Sequence, residues 1–345
     1  MTTAELQSRL VSWDNKRGKV TVKRSSMKVV DVNGRIYLGN SGDDTNENLC
    51  GITRWALGQL CNSLTIPASY INRCPAHLAC TNINYWVPKR SGNAKLCLLD
   101  STDVEHVVIG IVSDHYVEYS NRSFYSDIAS TLDDLSIRYE LDHAQITPEC
   151  FDGTIRIPSF SVESSYAAPD SSSSDTRKTI EMGLHFRNSE VGYSSALVTT
   201  CIVDRFKNYT IPLVSNSSVK TGARMIHVGR SSDKFAEDIA VLIGILGDNY
   251  SNILGKFEKS GKYTITIANV KDLVAEYKLN KNVLDDRLGY ELFEADDDSR
   301  VRLLDVIEGI ATVASQKKYP ARWDMELIAG SVLQRFEDRF DSLMD

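Results

Sequence analysis

Two cysteines and a histidine form the densest group of potential metal ligands in the chain. Cys74, His77 and Cys80 lie three residues apart, and Cys50 and Cys61 are upstream candidates for a fourth ligand. Zinc accepts three or four thiolate and imidazole donors. Structural zinc sites usually draw their ligands from two separated pairs, and the sequence offers no second pair here. We therefore predict small buried thiols beside a surface histidine, without metal or cofactor, and keep a metal-dependent enzyme as an alternative.

Familiar catalytic motifs are missing from the sequence. It contains no Gly-x-x-x-x-Gly-Lys phosphate loop, no Gly-x-Gly-x-x-Gly, no Gly-x-Ser-x-Gly and no His-Glu-x-x-His. Ser113, Asp114 and His115 place a hydroxyl, a carboxylate and an imidazole side by side. Adjacent residues seldom converge on one reacting atom, so a turn is the favoured interpretation. We predict no catalytic residues.

Residues 179–230 combine cations with aromatic rings. Cations that follow a phosphate backbone, beside rings on which bases stack, are what single-stranded nucleic-acid binding requires. We predict that nucleic acid is bound by Arg187, Arg205, Lys207, Arg224, Arg230, Phe186, Tyr193, Phe206 and His227. Alternating Arg and Phe also occurs on any half-exposed strand, so an ordinary structural face is the alternative.

Charge is unevenly distributed along the chain. The net charge is −7, yet residues 15–35 carry seven basic side chains and one acidic one, and residues 177–234 are also basic. This asymmetry favours a negatively charged partner, with a solvated basic face as the alternative. The acidic stretch from Glu337 to Asp345 is a candidate site for a protein partner.

The cysteines and the hydropathy indicate a cytosolic protein. No stretch reaches the ~18 uncharged apolar residues that a bilayer span requires. The N-terminus shows no signal-peptide pattern. The seven cysteines are scattered through apolar segments, which is typical of reduced core thiols. We therefore expect no membrane association.

Hydrophobic periodicity predicts strands early in the chain and helices late. Strands are predicted at residues 19–23, 28–32, 35–38, 96–99, 107–112, 136–141, 153–157, 179–186 and 196–205. Helices are predicted at residues 52–64, 67–73 and 122–132 and mainly from 232 onward. Asn33-Gly34 is typical of a hairpin turn. The fold class is therefore predicted as α+β, with an antiparallel β-rich N-terminal half, interspersed helices and a helical C-terminal third.

Three segments are predicted from these patterns. Residues 1–48 form a basic strand and hairpin segment, residues 49–258 form the core α+β domain, and residues 259–345 form a helical region with an acidic tail. Within the core, residues 159–176 are rich in Ser, Ala, Asp and Pro. Such a composition buries too little apolar surface to offset the entropy of ordering, so a flexible insertion is predicted.

Several segments resemble the phage and plasmid protein family called domain of unknown function 932. The resemblance is carried by residues 64–73 (LTIPASYINR), 113–116 (SDHY), 187–195 (RNSEVGYSS) and 224–229 (RMIHVG), and more loosely by 321–326 (ARWDME). The most specific piece is the turn with Asn188, Ser189, Glu190 and Gly192. The chain departs from the family at residues 201–209, where the family usually has a Cys-x-Asn-Gly segment.

The resemblance implies a protein of a mobile genetic element that acts in the cytoplasm of a bacterial host. A relationship with the Erf-like and RecT-like single-strand annealing proteins would give a basic groove, made by a β-hairpin and a long helix, in a homo-oligomer. We expect a non-enzymatic nucleic-acid-binding protein, and the resemblance implies the binding or annealing of single-stranded DNA in recombination as its specific role. The alternative is a host-interaction, anti-defence or accessory structural phage protein without a nucleic-acid role.

Overall fold

A computed structural model describes residues 1–42, 48–101, 106–164, 178–204, 209–213, 222–225, 232–279, 294–318 and 321–337. Over these residues the fold is α+β, as predicted, with most strands before residue 226 and mainly helices after it. No helix within these ranges is long and apolar enough to cross a bilayer.

Six strands form the first sheet. They are β1 (Arg17–Lys23), β2 (Met27–Val32), β3 (Arg35–Asn40), β4 (Cys50–Ile52), β5 (Asn93–Asp100) and β6 (His106–Ser113). Their spatial order is β1-β5-β6-β4-β3-β2, and all neighbours are antiparallel except β4 and β6. The predicted Asn33-Gly34 hairpin is confirmed, since both residues have the positive φ that a two-residue turn requires. The predicted boundary at residue 48 falls inside this sheet.

Helices cover one face of the first sheet. They are α2 (Arg54–Ser63), α3 (Ala68–Ile71) and α4 (Ala76–Trp86), which follow β4. α1 (Thr3–Asn15), at the start of the chain, packs instead into the core of the second sheet through Leu6 and Leu10. Leu60 of α2 and Ile83 of α4 pack against Leu38 and Leu96 of the sheet. The sequence pattern does not predict α4, because a proline such as Pro75 usually ends a helix. It precedes the first helical residue instead, where the missing N–H of proline has no cost.

A side chain of α4 also occupies the outer edge of β2. The Asn84 amide accepts a hydrogen bond from the Val29 N–H and donates one to the Val29 carbonyl, both at 2.8 Å. The amide thereby replaces one residue of a neighbouring strand. An outer strand with unpaired backbone groups invites pairing with another chain, so this contact protects β2 at its centre.

Six further strands form the second sheet. They are β7 (Glu140–Ile146), β8 (Phe151–Ser164), β9 (Lys178–Asn188), β10 (Ala196–Asp204), β11 (Tyr209–Pro212) and β12 (Gly222–Met225). The order is β11-β10-β9-β8-β7, and β12 also pairs with β10. β7 starts later than predicted because Ser136, with φ of 57°, turns the chain after a helix. Residues 159–164 belong to β8 and not to a flexible insertion; residues 165–176 lie outside the described ranges.

Helices pack on both faces of the second sheet. α5 (Asn121–Asp134) and α6 (Ser232–Ser260) cover its apolar face, where Phe124 lies 6.1 Å from Phe186 and 5.9 Å from Phe235 between ring centroids. The C-terminal part contains β13 (Thr264–Thr266), α7 (Ile267–Tyr277), β14 (Arg300–Arg302), α8 (Leu303–Ser315) and α9 (Ala321–Glu337). The start of α9 lies on the opposite, polar face of the sheet through Trp323.

Candidate nucleic-acid interface

The turn between β9 and β10 joins the two sheets through Glu190. Four N–H groups lie between 2.6 and 2.8 Å from its carboxylate: Trp13 Nε1, Arg17 Nη1 and the backbone and side-chain N–H of Asn121. Burial raises the pKa of Glu190 above its ordinary value, although Arg17 and the Asn121 backbone hydrogen bond act in the opposite direction. Because all four groups are donors, none could accept a proton from a carboxylic acid, so Glu190 is ionised. The preceding Asn188 donates to the Asn121 side chain at 2.9 Å.

The residues beside Glu190 continue this junction. Ser189 Oγ donates to the Glu149 carbonyl at 2.7 Å. The Val191 carbonyl accepts hydrogen bonds from Trp55 Nε1 at 3.2 Å and from Gln59 Nε2 at 2.7 Å. These bonds connect the turn to α2 and to the segment before β8.

Close packing completes the contact between the sheets. Gly192 has φ of 72°, a conformation that favours glycine, and its N–H donates to the Tyr116 hydroxyl. The same hydroxyl donates to the Ser189 carbonyl at 2.9 Å. Val191 lies against Gly110 of β6, where an added Cβ would be only 2.6 Å from the Val191 Cβ. The motif residues Asn188, Ser189, Glu190 and Gly192 thus hold the fold together.

Two of the predicted nucleic-acid-binding residues are inside the second sheet. Phe186 is fully buried on the face covered by α5. Arg187 is buried on the other face, where it forms an ion pair with Asp152 and lies 4.3 Å from the Trp323 ring centroid. Neither side chain is accessible to a nucleic acid in this structure, so the prediction is wrong for both. The two residue types alternate here because Phe186 points to the apolar face beneath α5 and Arg187 points to the polar face beneath α9.

A buried polar layer fills the space beneath α9. The His185 ring stacks on Trp323 at 4.1 Å, and its Nε2 lies 3.1 Å from Glu326 Oε2. Burial lowers the pKa of His185. Burial would raise the pKa of Glu326, but His185 and Arg322 lower it below its ordinary value. A neutral imidazole also suits the 2.8 Å contact between His185 Nδ1 and the Thr154 hydroxyl.

The layer also corrects the predicted groove. α9 occupies the polar face of the β9 and β10 hairpin, which was expected to line a channel for a strand. Tyr193 is half-buried with its ring 4.8 Å from Trp55, and Arg224 is exposed and donates to Ser195 Oγ at 3.0 Å. Arg205, Phe206, Lys207, His227 and Arg230 lie outside the described residues.

The weak metal candidates do not form a ligand cluster. Cys80 is buried in the core of the first sheet, His77 is exposed and Cys74 is intermediate. Across the described ranges, no three His, Cys, Asp or Glu side chains are grouped so that they could hold a metal ion. Burial raises the pKa of the Cys80 thiol to about 11, which disfavours the thiolate that a metal requires.

An exposed aromatic pair marks a different surface, at the C-terminal end of α4. Ala79, Cys80 and Ile83 face the core, so Tyr85 and Trp86 point outward with 63% and 47% of their surface exposed. Their rings meet edge to face with centroids 5.2 Å apart.

The ammonium group of Lys89 lies over both of these rings. Its Nζ is 3.3 Å from the Tyr85 centroid and 4.6 Å from the Trp86 centroid. Amphipathic aromatic rings with a cation above them are an arrangement found at nucleic-acid and protein interfaces.

Further cations adjoin this aromatic pair. Arg24 follows β1 and donates from its backbone N–H to Gly92 and from its Nε to the Asn93 carbonyl. Lys23 pairs with Asn93 in the sheet, and Arg90 follows Lys89 directly. Among the described residues, no carboxylate forms an ion pair with these cations. We call Lys23, Arg24, Tyr85, Trp86, Lys89 and Arg90 the α4 patch.

Sequence reasoning missed the α4 patch although a signal was present. Residues 15–35 are basic, and Lys23 and Arg24 belong to that segment. The aromatic part required recognising α4, because the helical spacing of Ala79, Cys80 and Ile83 assigns Tyr85 to the opposite side.

Comparisons with family models, curated proteins and solved structures found no match to this chain. The resemblance to domain of unknown function 932 therefore stays a prediction.

Proposed function

We propose that this chain is a non-enzymatic protein of a phage or other mobile element that binds single-stranded nucleic acid through the α4 patch in the host cytoplasm. The carrying observation is the exposed pair of Tyr85 and Trp86 beneath the Lys89 ammonium group. Bases of any sequence can stack on such rings, while neighbouring cations hold the phosphates. Arg187 and Phe186 have no part in this proposal.

The basic segment supports the same surface. Arg17 and Lys19 are engaged by Glu118, so they are poorly placed for phosphates. Lys23 and Arg24 make no ion pair with a described residue. They lie at the end of β1, where residues 24–26 contact residues 87–89. Within this segment, Arg17 and Lys19 therefore have a carboxylate partner, whereas Lys23 and Arg24 have none among the described residues.

Fluorescence anisotropy with labelled single-stranded oligonucleotides tests the proposal. We expect Trp86→Ala to weaken binding about ten-fold, since one base stacked on an aromatic ring contributes about 1–3 kcal/mol. Lys89→Ala should lower the slope of log K against log salt by about 0.7, because one phosphate contact is lost. Lys262→Ala removes an exposed cation elsewhere and should change neither value.

The same titrations contain the outcomes that would reject the proposal. These are the absence of binding at low salt, or equal affinity for wild type and Trp86→Ala. DNA, RNA and duplex probes at one salt concentration would establish which nucleic acid is preferred. Annealing of complementary strands, followed by energy transfer between two dyes, tests the recombination role separately.

A protein partner is the second candidate function, and the α3–α4 surface favours it. Leu78 is 48% exposed and Tyr70 is 51% exposed, and Asn82 donates to the Tyr70 hydroxyl at 3.2 Å. This apolar extension beyond the α4 patch is not needed for stacking bases, but it suits a host or virion protein. A stoichiometric partner recovered from nuclease-treated host lysate, and lost with Leu78→Ser, would support this role.

Two partner predictions stay untested. A homo-oligomer is expected from the resemblance to annealing proteins, and light scattering of the purified chain would measure it. A partner at the acidic stretch 337–345 concerns residues that lie almost entirely outside the described ranges.

A further inference from the structure

A cavity opens beside the short strand β4. It has a volume of about 460 Å³, within the range of about 300–1,000 Å³ typical of small-molecule sites. β4 has only three residues, after which the chain enters α2 and leaves space beside the beginning of β3. The cavity is lined by Arg35, Ile36, Tyr37, Gly51, Ile52, Arg54, Leu57, Asn72, Ser101 and Val107.

Two guanidinium groups dominate the electrostatics of this cavity. Arg35 and Arg54 are exposed, and neither forms an ion pair or a side-chain hydrogen bond with a described residue. The lining residues include no carboxylate. Because the planar guanidinium group matches phosphate and carboxylate oxygens with paired hydrogen bonds, an anion is the natural ligand for this end of the cavity.

The remaining wall is suited to a flat or apolar group. Tyr37 contributes an aromatic ring, and Ile52 and Leu57 contribute aliphatic surface. Asn72 adds an amide that can orient a polar ligand. A small ligand that has an anionic end and a flat body would therefore use the whole lining, whereas free phosphate would use only the cationic end.

We propose that this cavity binds an organic phosphate monoester with a flat body, with the phosphate at Arg35 and Arg54 and the body against Tyr37. A free mononucleotide and the 5′-phosphorylated end of a strand share this chemistry. The site is distinct from the α4 patch and does not depend on the function proposed for it.

Calorimetric titration of the full chain with adenosine 5′-monophosphate, adenosine and inorganic phosphate tests the proposal. We expect the monophosphate to bind more tightly than either of the others. Arg35→Gln and Arg54→Gln should each weaken its binding about ten-fold, as for the loss of a hydrogen bond to a charged group. Arg73→Gln, an exposed arginine outside the lining, is the matched control and should bind as wild type does.

Three results would overturn the proposal: no binding of the monophosphate at millimolar concentration, equal affinities for it and for inorganic phosphate, or unchanged binding in both arginine variants. Circular dichroism of the variants verifies that they are folded. Oligonucleotides with a 5′-phosphate or a 5′-hydroxyl then identify the source of the phosphate. Because Trp86→Ala should leave monophosphate binding unchanged, failure of the α4 patch and failure of this site are distinguishable.

Discussion

Replacing Glu190 by Gln tests the role assigned to the turn between β9 and β10. Glutamine has nearly the same shape but is uncharged, and its amide presents donors where Trp13, Arg17 and Asn121 already donate. At least one of these buried N–H groups then loses its acceptor. The substitution therefore removes the charge that holds the two sheets together without creating a cavity.

The magnitude follows from the ion pair. Removing one partner of a buried pair costs about 3–5 kcal/mol. Arg17 keeps Glu118 at 3.0 Å, so its charge is not left alone and the lower end applies. We expect Glu190→Gln to reduce the free energy of unfolding by about 3 kcal/mol. Glu237→Gln, on the exposed side of α6, should change it by less than about 0.5 kcal/mol.

Urea unfolding followed by far-ultraviolet circular dichroism measures both variants. This signal is preferable to tryptophan fluorescence because Trp13 itself contacts Glu190. A loss below about 1 kcal/mol for Glu190→Gln, or one equal to that of Glu237→Gln, would refute the view that this carboxylate is ionised and joins the sheets.

Two further predictions concern packing and protonation. Gly110→Ala should lower the free energy of unfolding, measured by chemical denaturation, by about 1–3 kcal/mol because the added Cβ would meet Val191. Gly58→Ala in α2, where an added Cβ has open space, should raise it by about 0.5–1 kcal/mol. Equal effects of the two substitutions would contradict the close contact at Gly110. The pKa of His185 is lowered in the fold, so below pH 6.5 the unfolded chain binds more protons and stability falls. We expect the free energy of unfolding, measured with urea at each pH, to fall by about 1 kcal/mol between pH 7 and pH 5.5. The fall should be smaller in His185→Gln, and an identical fall in that variant would exclude His185 as the cause.

Much of the fold was predictable because local patterns and tertiary structure agree. The hairpin at Asn33-Gly34 and the antiparallel pairing of β9 with β10 follow from turn residues and alternation. The departures have local causes. Pro75 begins a helix instead of ending one, and Ser136 delays β7 by turning the chain after α5.

The candidate site was less predictable, because alternation alone does not tell an exposed polar face from a buried one. Phe186 and Arg187 point to opposite faces, as the period of two requires, but α9 arrives from more than a hundred residues later to cover Arg187. Similarly, nothing local to Glu190 reveals that its partners are Trp13, Arg17 and Asn121. Contacts of such long sequence separation are set by topology.

The Asn84 amide on β2 has a consequence for self-association. The amide makes the two edge strands of the first sheet different. The backbone of β2 is hydrogen-bonded to it at Val29, whereas β1, the other edge strand, exposes Lys19 and Val20 to solvent. Because this cap disfavours pairing at β2, we expect copies that add to one another through this sheet to meet β1 to β1. A contact of that kind uses the same surface on both molecules and closes after two, so it yields a symmetric pair and cannot propagate into a fibre.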